Sequence, residues 1–221
     1  MLTVAILPVK SFAVAKRRLR DELAPDLRRE LAEAMLADVL VALHRAQGVG
    51  QIVVVTQEPR ACRLAGEHGA VILDDEGERG HNVAASLGID YALRSGSDRV
   101  LLVPGDCPLL DPAQLDELLA RAGDPGARSV VIVPDRHGTG TNALLLTPPG
   151  SLRPSFGPSS CHRHASDARA AGTAHAVVDV PSLALDVDTP DDLAALKATL
   201  AASLAGAPHT RGVLVPATAL C

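Results

Sequence analysis

Two carboxylates two residues apart stand near the end of the chain, in the run Leu185-Asp186-Val187-Asp188-Thr189-Pro190. If the flanking apolar residues form a strand, Asp186 and Asp188 project from the same face, about 6–7 Å apart. Two like charges beside an apolar run require a cation, because an unpaired buried carboxylate is costly. Mg²⁺ is the simplest candidate, since it takes carboxylate oxygens and keeps its remaining positions for water and phosphate.

A third carboxylate follows another apolar run, in Val103-Pro104-Gly105-Asp106-Cys107-Pro108. Taken alone, Asp106 is more typical of a turn or a helix cap than of a metal ligand. Open parallel sheets bind ligands at the carboxyl ends of their strands, however, and both acidic motifs are predicted at such ends. We therefore expect Asp106, Asp186 and Asp188 to converge on one metal site that holds one or two ions.

Cations are concentrated directly after the first predicted strand, where Lys10, Lys16, Arg17, Arg18 and Arg20 fall within one short segment. Such a loop suits a triphosphate or its leaving pyrophosphate. A solvated basic face at a helix start is the alternative. The segment contains neither a Walker G-x-x-x-x-G-K-[ST] pattern nor a Rossmann G-x-G-x-x-G pattern, so side chains rather than a glycine nest would hold the phosphates.

Small hydroxyl residues and glycines recur in two further segments, residues 136–142 and 156–160. Hydroxyls and exposed backbone N–H groups suit a small phosphate or carboxylate, although a flexible loop gives the same composition. The neighbouring run Cys161-His162-Arg163-His164 has two histidines and a cysteine, but its spacing fits none of the usual zinc patterns.

The elements that position these motifs alternate between apolar runs and amphipathic stretches, which predicts an α/β fold, a three-layer α/β/α sandwich around a mostly parallel sheet. Apolar residues spaced by four from Leu27 to Leu43 predict one long helix. A second helix is predicted over Val83–Arg94. Two more begin at Asp111-Pro112, with Gln114 completing a capping box, and at Thr189-Pro190, with Asp192 in the first turn. The predicted strands are Thr3–Leu7, Ile52–Thr56, Val71–Leu73, Val100–Val103, Val130–Val133, Ala143–Leu146, Ala176–Val180 and Leu183–Val187.

One domain is predicted over residues 1–205, because 221 residues suit a single generous core. Residues 138–172 are rich in Gly, Pro, Ser and His and are expected to form an insertion or lid beside the substrate. Residues 206–221 lose the helical pattern and are expected to be a flexible tail or to pair with a second subunit in a homodimer.

Composition excludes several function classes. The net charge of −5 and an aromatic content of only 1% argue against nucleic acid as a partner, since binding it requires cations and stacking platforms. No run approaches the length of a membrane span. Four cysteines without a C-x-x-C pair indicate reduced thiols, so we expect a cytoplasmic protein.

Taken in order, seven short motifs strongly resemble one family, the guanylyltransferases that activate 2-phospholactate or phosphoenolpyruvate in coenzyme F-420 biosynthesis. The resemblance covers about residues 3–200 and implies the nucleotide-diphospho-sugar transferase fold. The motifs are Pro8-Val9-Lys10, Ala15-Lys16, Arg18-Leu19, Gly105-Asp106-Cys107-Pro108, Gly138-Thr139-Gly140-Thr141, Phe156-Gly157-Pro158 and Asp186-Val187-Asp188-Thr189-Pro190.

The resemblance implies a GMP transfer from GTP to the phosphate of phosphoenolpyruvate, with 2-phospho-L-lactate or 3-phosphoglycerate as alternative acceptors. It implies that Asp106, Asp186 and Asp188 hold Mg²⁺. Thr141, Gly157 and Ser160 would bind the acid, and Lys10, Lys16 and Arg18 would serve as catalytic and nucleotide-binding residues. Asn82 and Ser86, at the start of a predicted helix, are further candidates for nucleotide binding.

Two other function classes remain open from the residues alone. A glycosyltransferase could use the D-x-D pair on a related fold, although the pair usually lies mid-chain in such enzymes. A non-catalytic domain that senses GTP or a metabolite is the other alternative.

Overall fold

The computed structural model describes residues 1–77, 79–121, 126–203 and 205–215. Within these residues seven strands and seven α-helices alternate along most of the chain, as the sequence predicts. The strands are β1 Thr3–Pro8, β2 Gln51–Val55, β3 Val71–Leu73, β4 Arg99–Leu102, β5 Ser129–Pro134, β6 Thr141–Thr147 and β7 Ala174–Val177. The helices are α1 Pro25–Arg45, α2 Pro59–Glu67, α3 His81–Arg94, α4 Pro112–Ala120, α5 Ser160–Ala170, α6 Pro190–Ala202 and α7 Pro208–Leu214.

The described strands form one sheet in the order β3-β2-β1-β4-β6-β5-β7. All neighbours pair in parallel except at β6, which runs antiparallel to both β4 and β5. Because β6 is reversed, its first residues lie at the same edge as the carboxyl ends of β1, β4 and β5. This edge carries the candidate site.

Each central strand buries both of its faces, which requires helices on both sides of the sheet. In β1, Ala5 and Leu7 belong to the apolar cluster that contains residues of α1, α2 and α4, whereas Val4 and Ile6 belong to the cluster that contains residues of α3 and α5. The helix α3 approaches β1 so closely at Gly88 that an added Cβ would lie 2.3 Å from Cγ2 of Ile6. The predicted three-layer sandwich is confirmed.

A third apolar cluster joins the end of the chain to α1 and contradicts the expectation of a flexible tail. Residues 208–214 form α7, whose first N–H groups, those of His209 and Thr210, donate to the buried carboxylate of Asp38 on α1 at 3.0 and 2.8 Å. The cap of this helix therefore comes from a residue far away in sequence. Residues 216–221 lie outside the described part of the chain.

Three local predictions need correction. Leu183–Val187 is not a strand, because Pro181–Leu183 forms a 3₁₀ turn and the residues after it form an extended loop that pairs with none of the described strands. Residues 138–172 are not an insertion, since they contain the central strand β6 and the helix α5. At α4 only half of the predicted capping box forms: Asp111 accepts from the backbone N–H of Gln114, but the Gln114 side chain accepts from Ser182 instead.

The capping box predicted at the start of α6 is confirmed, with Thr189 and Asp192 bonding reciprocally. Of the four cysteines, Cys62, Cys107 and Cys161 are free thiols, as predicted, and Cys221 lies beyond the described residues. In the described ranges, no helix combines the length and the apolar character that crossing a membrane requires.

Candidate active site

A cavity of about 720 Å³ opens at the sheet edge defined by the carboxyl ends of β1, β4 and β5. Its lining comes from five chain segments, within residues 8–18, 104–106, 135–142, 156–160 and 186–192, together with α1 residues and His81. Nearly all residues predicted for the site are among them: Lys10, Lys16, Arg18, Asp106, Thr141, Gly157, Ser160, Asp186 and Asp188. The fold thus brings together candidate site residues that are far apart in the sequence.

The loop that carries Asp186 and Asp188 is extended although it is not a strand. Leu185 and Val187 point into the apolar cluster under α6, so the two aspartates alternate with them and line the cavity. The backbone N–H of Val187 donates to the carbonyl of Asp106 at 3.2 Å, which brings the two acidic segments side by side. The predicted convergence of the two acidic motifs is therefore present.

Asn142, which the sequence reasoning did not select, holds this loop in place. Its side-chain NH₂ donates to the carbonyls of Leu183 and Ala184 at 2.7 and 3.2 Å and to Oδ1 of Asp186 at 3.2 Å. At the other end of the loop, Asp192 accepts from the backbone N–H groups of Asp188 and Thr189. The nearby guanidinium of Arg136 pairs with Asp192 at 2.7 Å.

Lys16 lies between two of the three aspartates. Its Nζ is 2.5 Å from Oδ2 of Asp106 and 3.0 Å from Oδ1 of Asp188, and its side chain is only 7% exposed. The cation that the sequence reasoning required beside the carboxylates is, in this structure, the chain's own lysine. Among the residues that the structure describes, no cluster of three or more His, Cys, Asp or Glu side chains is ready to hold a metal ion.

The charges in this cluster are not balanced, since one ammonium group faces three carboxylates. Burial raises the pKa of Asp186 to about 6, with further contributions from the negative charges of Asp106 and Asp188. Burial alone would lower the pKa of Lys16, but Asp106 and Asp188 outweigh it and hold that pKa above its ordinary value. The site therefore has residual negative charge that suits an additional cation.

The basic loop, residues 10–20, is held in place by contacts with the rest of the fold. Glu58 accepts from the backbone N–H of Phe12 at 2.8 Å, and Leu19 anchors the following 3₁₀ turn in the apolar cluster under α6. Lys16 has a left-handed backbone, with φ of 54°. Of the five cations, Lys10, Lys16 and Arg18 line the cavity, which matches the three selected from the sequence.

Thr141, Gly157 and Ser160 also line the cavity, and we call these three residues the hydroxyl cradle. Thr141 begins β6, Ser160 begins α5, and Gly157 has φ of 125°, a conformation that favours glycine. Arg163 fastens the loop between them by donating to the carbonyls of Ser155 and Pro158. The cradle offers hydroxyl groups and a helix N-terminus to an anion.

Asn82 and Ser86 do not line the cavity. The Asn82 side chain is engaged with Phe156, accepting from its N–H at 2.7 Å and donating to its carbonyl at 3.1 Å. Ser86 donates to the carbonyl of Asn82. In this structure Asn82 thus holds the loop at Phe156 and Ser86 bonds to Asn82. The role of both residues in nucleotide binding stays a prediction. Their neighbour His81 does line the cavity, with its ring edge-on to Phe156 at 4.9 Å.

The site contains no activated cysteine. Burial raises the pKa of Cys107 well above its ordinary value, and the neighbouring carboxylates add to this effect. A thiol in such surroundings stays protonated and is a poor nucleophile. The charged and hydroxyl groups that line the cavity suit charge neutralisation and positioning.

Comparison with known proteins places this geometry in a family. Residues 3–199 match the family described as "Guanylyl transferase CofC like". The chain is 53% identical over 214 residues to the phosphoenolpyruvate guanylyltransferase of Conexibacter woesei, which covers 97% of this chain and 96% of that protein. The chain belongs to this family of guanylyl transferases.

A second relative of this guanylyl transferase is the 2-phospho-L-lactate guanylyltransferase of Methanothermobacter thermautotrophicus. The two are 39% identical over 194 residues, or 87% of this chain and 83% of the relative. Among solved structures, a protein of Desulfovibrio desulfuricans G20 named as a nucleotide-diphospho-sugar transferase aligns over 99% of this chain and 96% of its own, with a TM-score of 0.77 and 17% identity. The family and the fold predicted from the motifs are both confirmed.

Proposed function

We propose that this protein transfers GMP from GTP to the phosphate of phosphoenolpyruvate. The products would be enolpyruvoyl-2-diphospho-5'-guanosine and pyrophosphate, as a step in coenzyme F-420 biosynthesis. The observation that supports this function best is the shared cavity, in which the lysine–aspartate cluster faces the hydroxyl cradle. Choice of phosphoenolpyruvate follows the relative that is 53% identical, whose name specifies that acceptor.

The reaction is an in-line displacement at the α-phosphorus of GTP. An oxygen of the acceptor phosphate forms the new bond to this phosphorus. The bond to the oxygen bridging to the β-phosphate breaks, and pyrophosphate leaves with that electron pair. The acceptor phosphate is already anionic at neutral pH, so it needs no general base. Catalysis then rests on positioning and charge neutralisation.

The chain's own cations and hydroxyls account for most of this work. We infer that Lys10 and Arg18, which line the cavity, contact the phosphates of GTP and stabilise charge on the departing pyrophosphate. Lys16 joins them on the side of the aspartates. Across the cavity, Thr141 and Ser160 orient the acid by donating hydrogen bonds to its anionic groups.

We infer that the three aspartates hold Mg²⁺, although in this structure Lys16 lies between two of them and the described residues form no ready metal cluster. In support of Mg²⁺, the aspartates present hard oxygen ligands, and their negative charge exceeds what Lys16 neutralises. When bound, Mg²⁺ would neutralise charge on the α-phosphate and on the acceptor. The variant Asp188→Asn should lose Mg²⁺-dependent turnover. Turnover that keeps its full dependence on Mg²⁺ in this variant would show that the metal assignment is wrong.

Two other acceptors share the chemistry. 2-Phospho-L-lactate replaces the planar methylene of phosphoenolpyruvate by a tetrahedral CH–CH₃, a difference worth about 1–3 kcal/mol in a pocket. The relative named for this acceptor is 39% identical to the chain. 3-Phosphoglycerate is the third acid to test.

One assay separates these functions. Pyrophosphate release is measured with GTP, ATP, CTP and UTP, each with the three acids, in the presence and absence of Mg²⁺. We expect the highest kcat/KM for GTP with phosphoenolpyruvate and Mg²⁺. Release of a nucleoside diphosphate from a sugar nucleotide would instead indicate glycosyl transfer, and GTP binding without release would indicate a sensing domain.

A further inference from the structure

His164 is fully buried behind the hydroxyl cradle and makes two hydrogen bonds there. On α5 its side chain is 0% exposed. Its Nδ1 lies 3.0 Å from Oγ1 of Thr141, and its Nε2 lies 2.9 Å from the backbone nitrogen of Ser155. The Phe156 ring meets the imidazole edge-on at 5.2 Å. The proposed reaction gives this histidine no task so far.

The two contacts determine which ring nitrogen carries the proton. A backbone N–H can only donate, so Nε2 of His164 accepts from Ser155 and is unprotonated. A neutral imidazole then carries its proton on Nδ1, which donates to the Thr141 hydroxyl oxygen. Burial, with a smaller contribution from the charge of Arg163, lowers the pKa of His164 to about 4, which agrees with a neutral ring.

This arrangement orients the hydroxyl of Thr141. Its oxygen accepts from His164, so its own hydrogen must point away from the imidazole. Thr141 lines the cavity, so we take its hydroxyl hydrogen to point into that space. A hydroxyl that could otherwise donate or accept is thereby held as a donor, which is the polarity that an anionic ligand needs.

The same contacts argue against a nucleophilic threonine. A general base must have a free nitrogen lone pair toward the hydroxyl that it activates. Nδ1 of His164 carries a proton in this tautomer, and the lone pair on Nε2 is occupied by Ser155. The Thr141–His164 pair is therefore built to bind and orient.

We propose that His164 is a positioning residue that fixes the Thr141 hydroxyl as a hydrogen-bond donor to the phosphorylated acid and ties the Ser155 backbone to it. This inference rests on the proposed function, because the acid is the ligand that Thr141 would contact. One imidazole thus has two effects on the hydroxyl cradle. It holds the Thr141 hydroxyl as a donor, and it fixes the position of the loop that leads to Gly157.

Two substitutions at His164 separate its two hydrogen bonds. In His164→Asn the amide NH₂ takes the place of Nδ1 and can still donate to Thr141. In His164→Gln the amide oxygen takes the place of Nε2 and can accept from Ser155 only. We expect His164→Gln to raise KM for phosphoenolpyruvate about tenfold, with KM for GTP unchanged, and His164→Asn to recover most of that loss. His162→Gln, an exposed histidine on the same helix, is the matched control and should change neither constant.

A double-mutant cycle tests whether His164 acts through Thr141. Thr141→Val removes the hydroxyl and should raise KM for the acid by itself. Adding His164→Gln to Thr141→Val should then raise KM for the acid no further. Fully additive losses, or equal losses in KM for GTP and for the acid, would show a structural role only and overturn the proposal.

A spectrum of the wild-type protein tests the orientation without any turnover. Long-range ¹⁵N–¹H correlation on histidine-labelled protein should show His164 protonated at Nδ1 alone. Protonation at Nε2 would overturn the proposal. Because this measurement uses the wild-type protein, it decides the question even if a variant fails to fold. If no acid supports pyrophosphate release, the proposed function fails, while the tautomer still decides how Thr141 is oriented.

Discussion

Replacing Asp186 by asparagine should make the protein more stable and less active. Burial, together with the negative charges of Asp106 and Asp188, raises the pKa of Asp186 in the folded protein from an ordinary value of 3.8 to about 6. Such a carboxyl binds its proton more tightly in the folded state than in the unfolded state. Ionising it therefore lowers the free energy of unfolding.

The magnitude and the pH window follow from the two pKa values. A difference of about two pKa units corresponds to about 3 kcal/mol, because one unit equals about 1.4 kcal/mol. Since Asp186 is only partly buried, we expect a measured gain of about 1–3 kcal/mol. Below about pH 4 the carboxyl is protonated in both states, and Asp186→Asn should equal the wild type. The gain should develop between about pH 4 and 6 and stay constant above.

The assay is urea unfolding of both proteins from pH 4 to 8 in EDTA, so that divalent cations are absent. Asp90→Asn, an exposed aspartate on α3, is the control and should show no gain that grows with pH. Adding Mg²⁺ should then stabilise the wild type but much less the Asp186→Asn variant. Equal stability of the two proteins at pH 7.5 in EDTA would refute the idea that burial and the neighbouring carboxylates disfavour the ionised form of Asp186.

Three further substitutions test the scaffold and the site. Asn142→Ala removes three hydrogen bonds, although the Ala184 carbonyl keeps the backbone N–H of Arg136 and the Leu183 carbonyl keeps the weak thiol donor of Cys107, so we expect a loss of about 1–2 kcal/mol in urea unfolding and a lower kcat/KM. Gly88→Ala places a Cβ against Ile6 and should lower the free energy of unfolding by about 1–3 kcal/mol. The control Gly66→Ala on α2, where nothing lies within 4 Å of the added Cβ, should not lower it. Equal unfolding midpoints for both variants would contradict the close packing of α3 on β1. Lys16→Met should lower kcat for pyrophosphate release at least a hundredfold, and a change confined to KM would mean that Lys16 only binds.

The loop at the end of the chain shows how far a sequence pattern can be trusted. Alternation of apolar and acidic residues from Leu183 to Val187 predicts a strand, and the chain there is indeed extended, with Leu185 and Val187 buried and the aspartates on the other side. It is not a strand because it forms no backbone ladder with any described strand: Ala184 accepts from Arg136 and Val187 donates to Asp106, both in loops. The side chain of Asn142 on β6 bonds the carbonyls of Leu183 and Ala184, and its position 41 residues before Leu183 leaves no local signal.

Lys16 illustrates a second limit. Its place after the first strand predicts a contact with phosphate, since local charge density is visible in the sequence. The structure brings it against Asp106 and Asp188, which are 90 and 172 residues away in the chain. The helix α7 was missed for a similar reason, because its N-terminal cap is the carboxylate of Asp38 on α1.

The sequence by itself determined the α/β alternation, the long helix α1, the caps at Asp111 and Thr189, the family, and most residues that line the cavity. These follow from local physics: periodicity, capping chemistry, and the rule that ligands gather at strand ends. The tertiary structure alone decided that β6 runs antiparallel, which delivers Thr141 and Asn142 to the same edge as Asp106. It also decided that His164 orients Thr141 and that Lys16 lies between the aspartates. Such contacts join residues distant in the chain, and only the folded chain sets their distances.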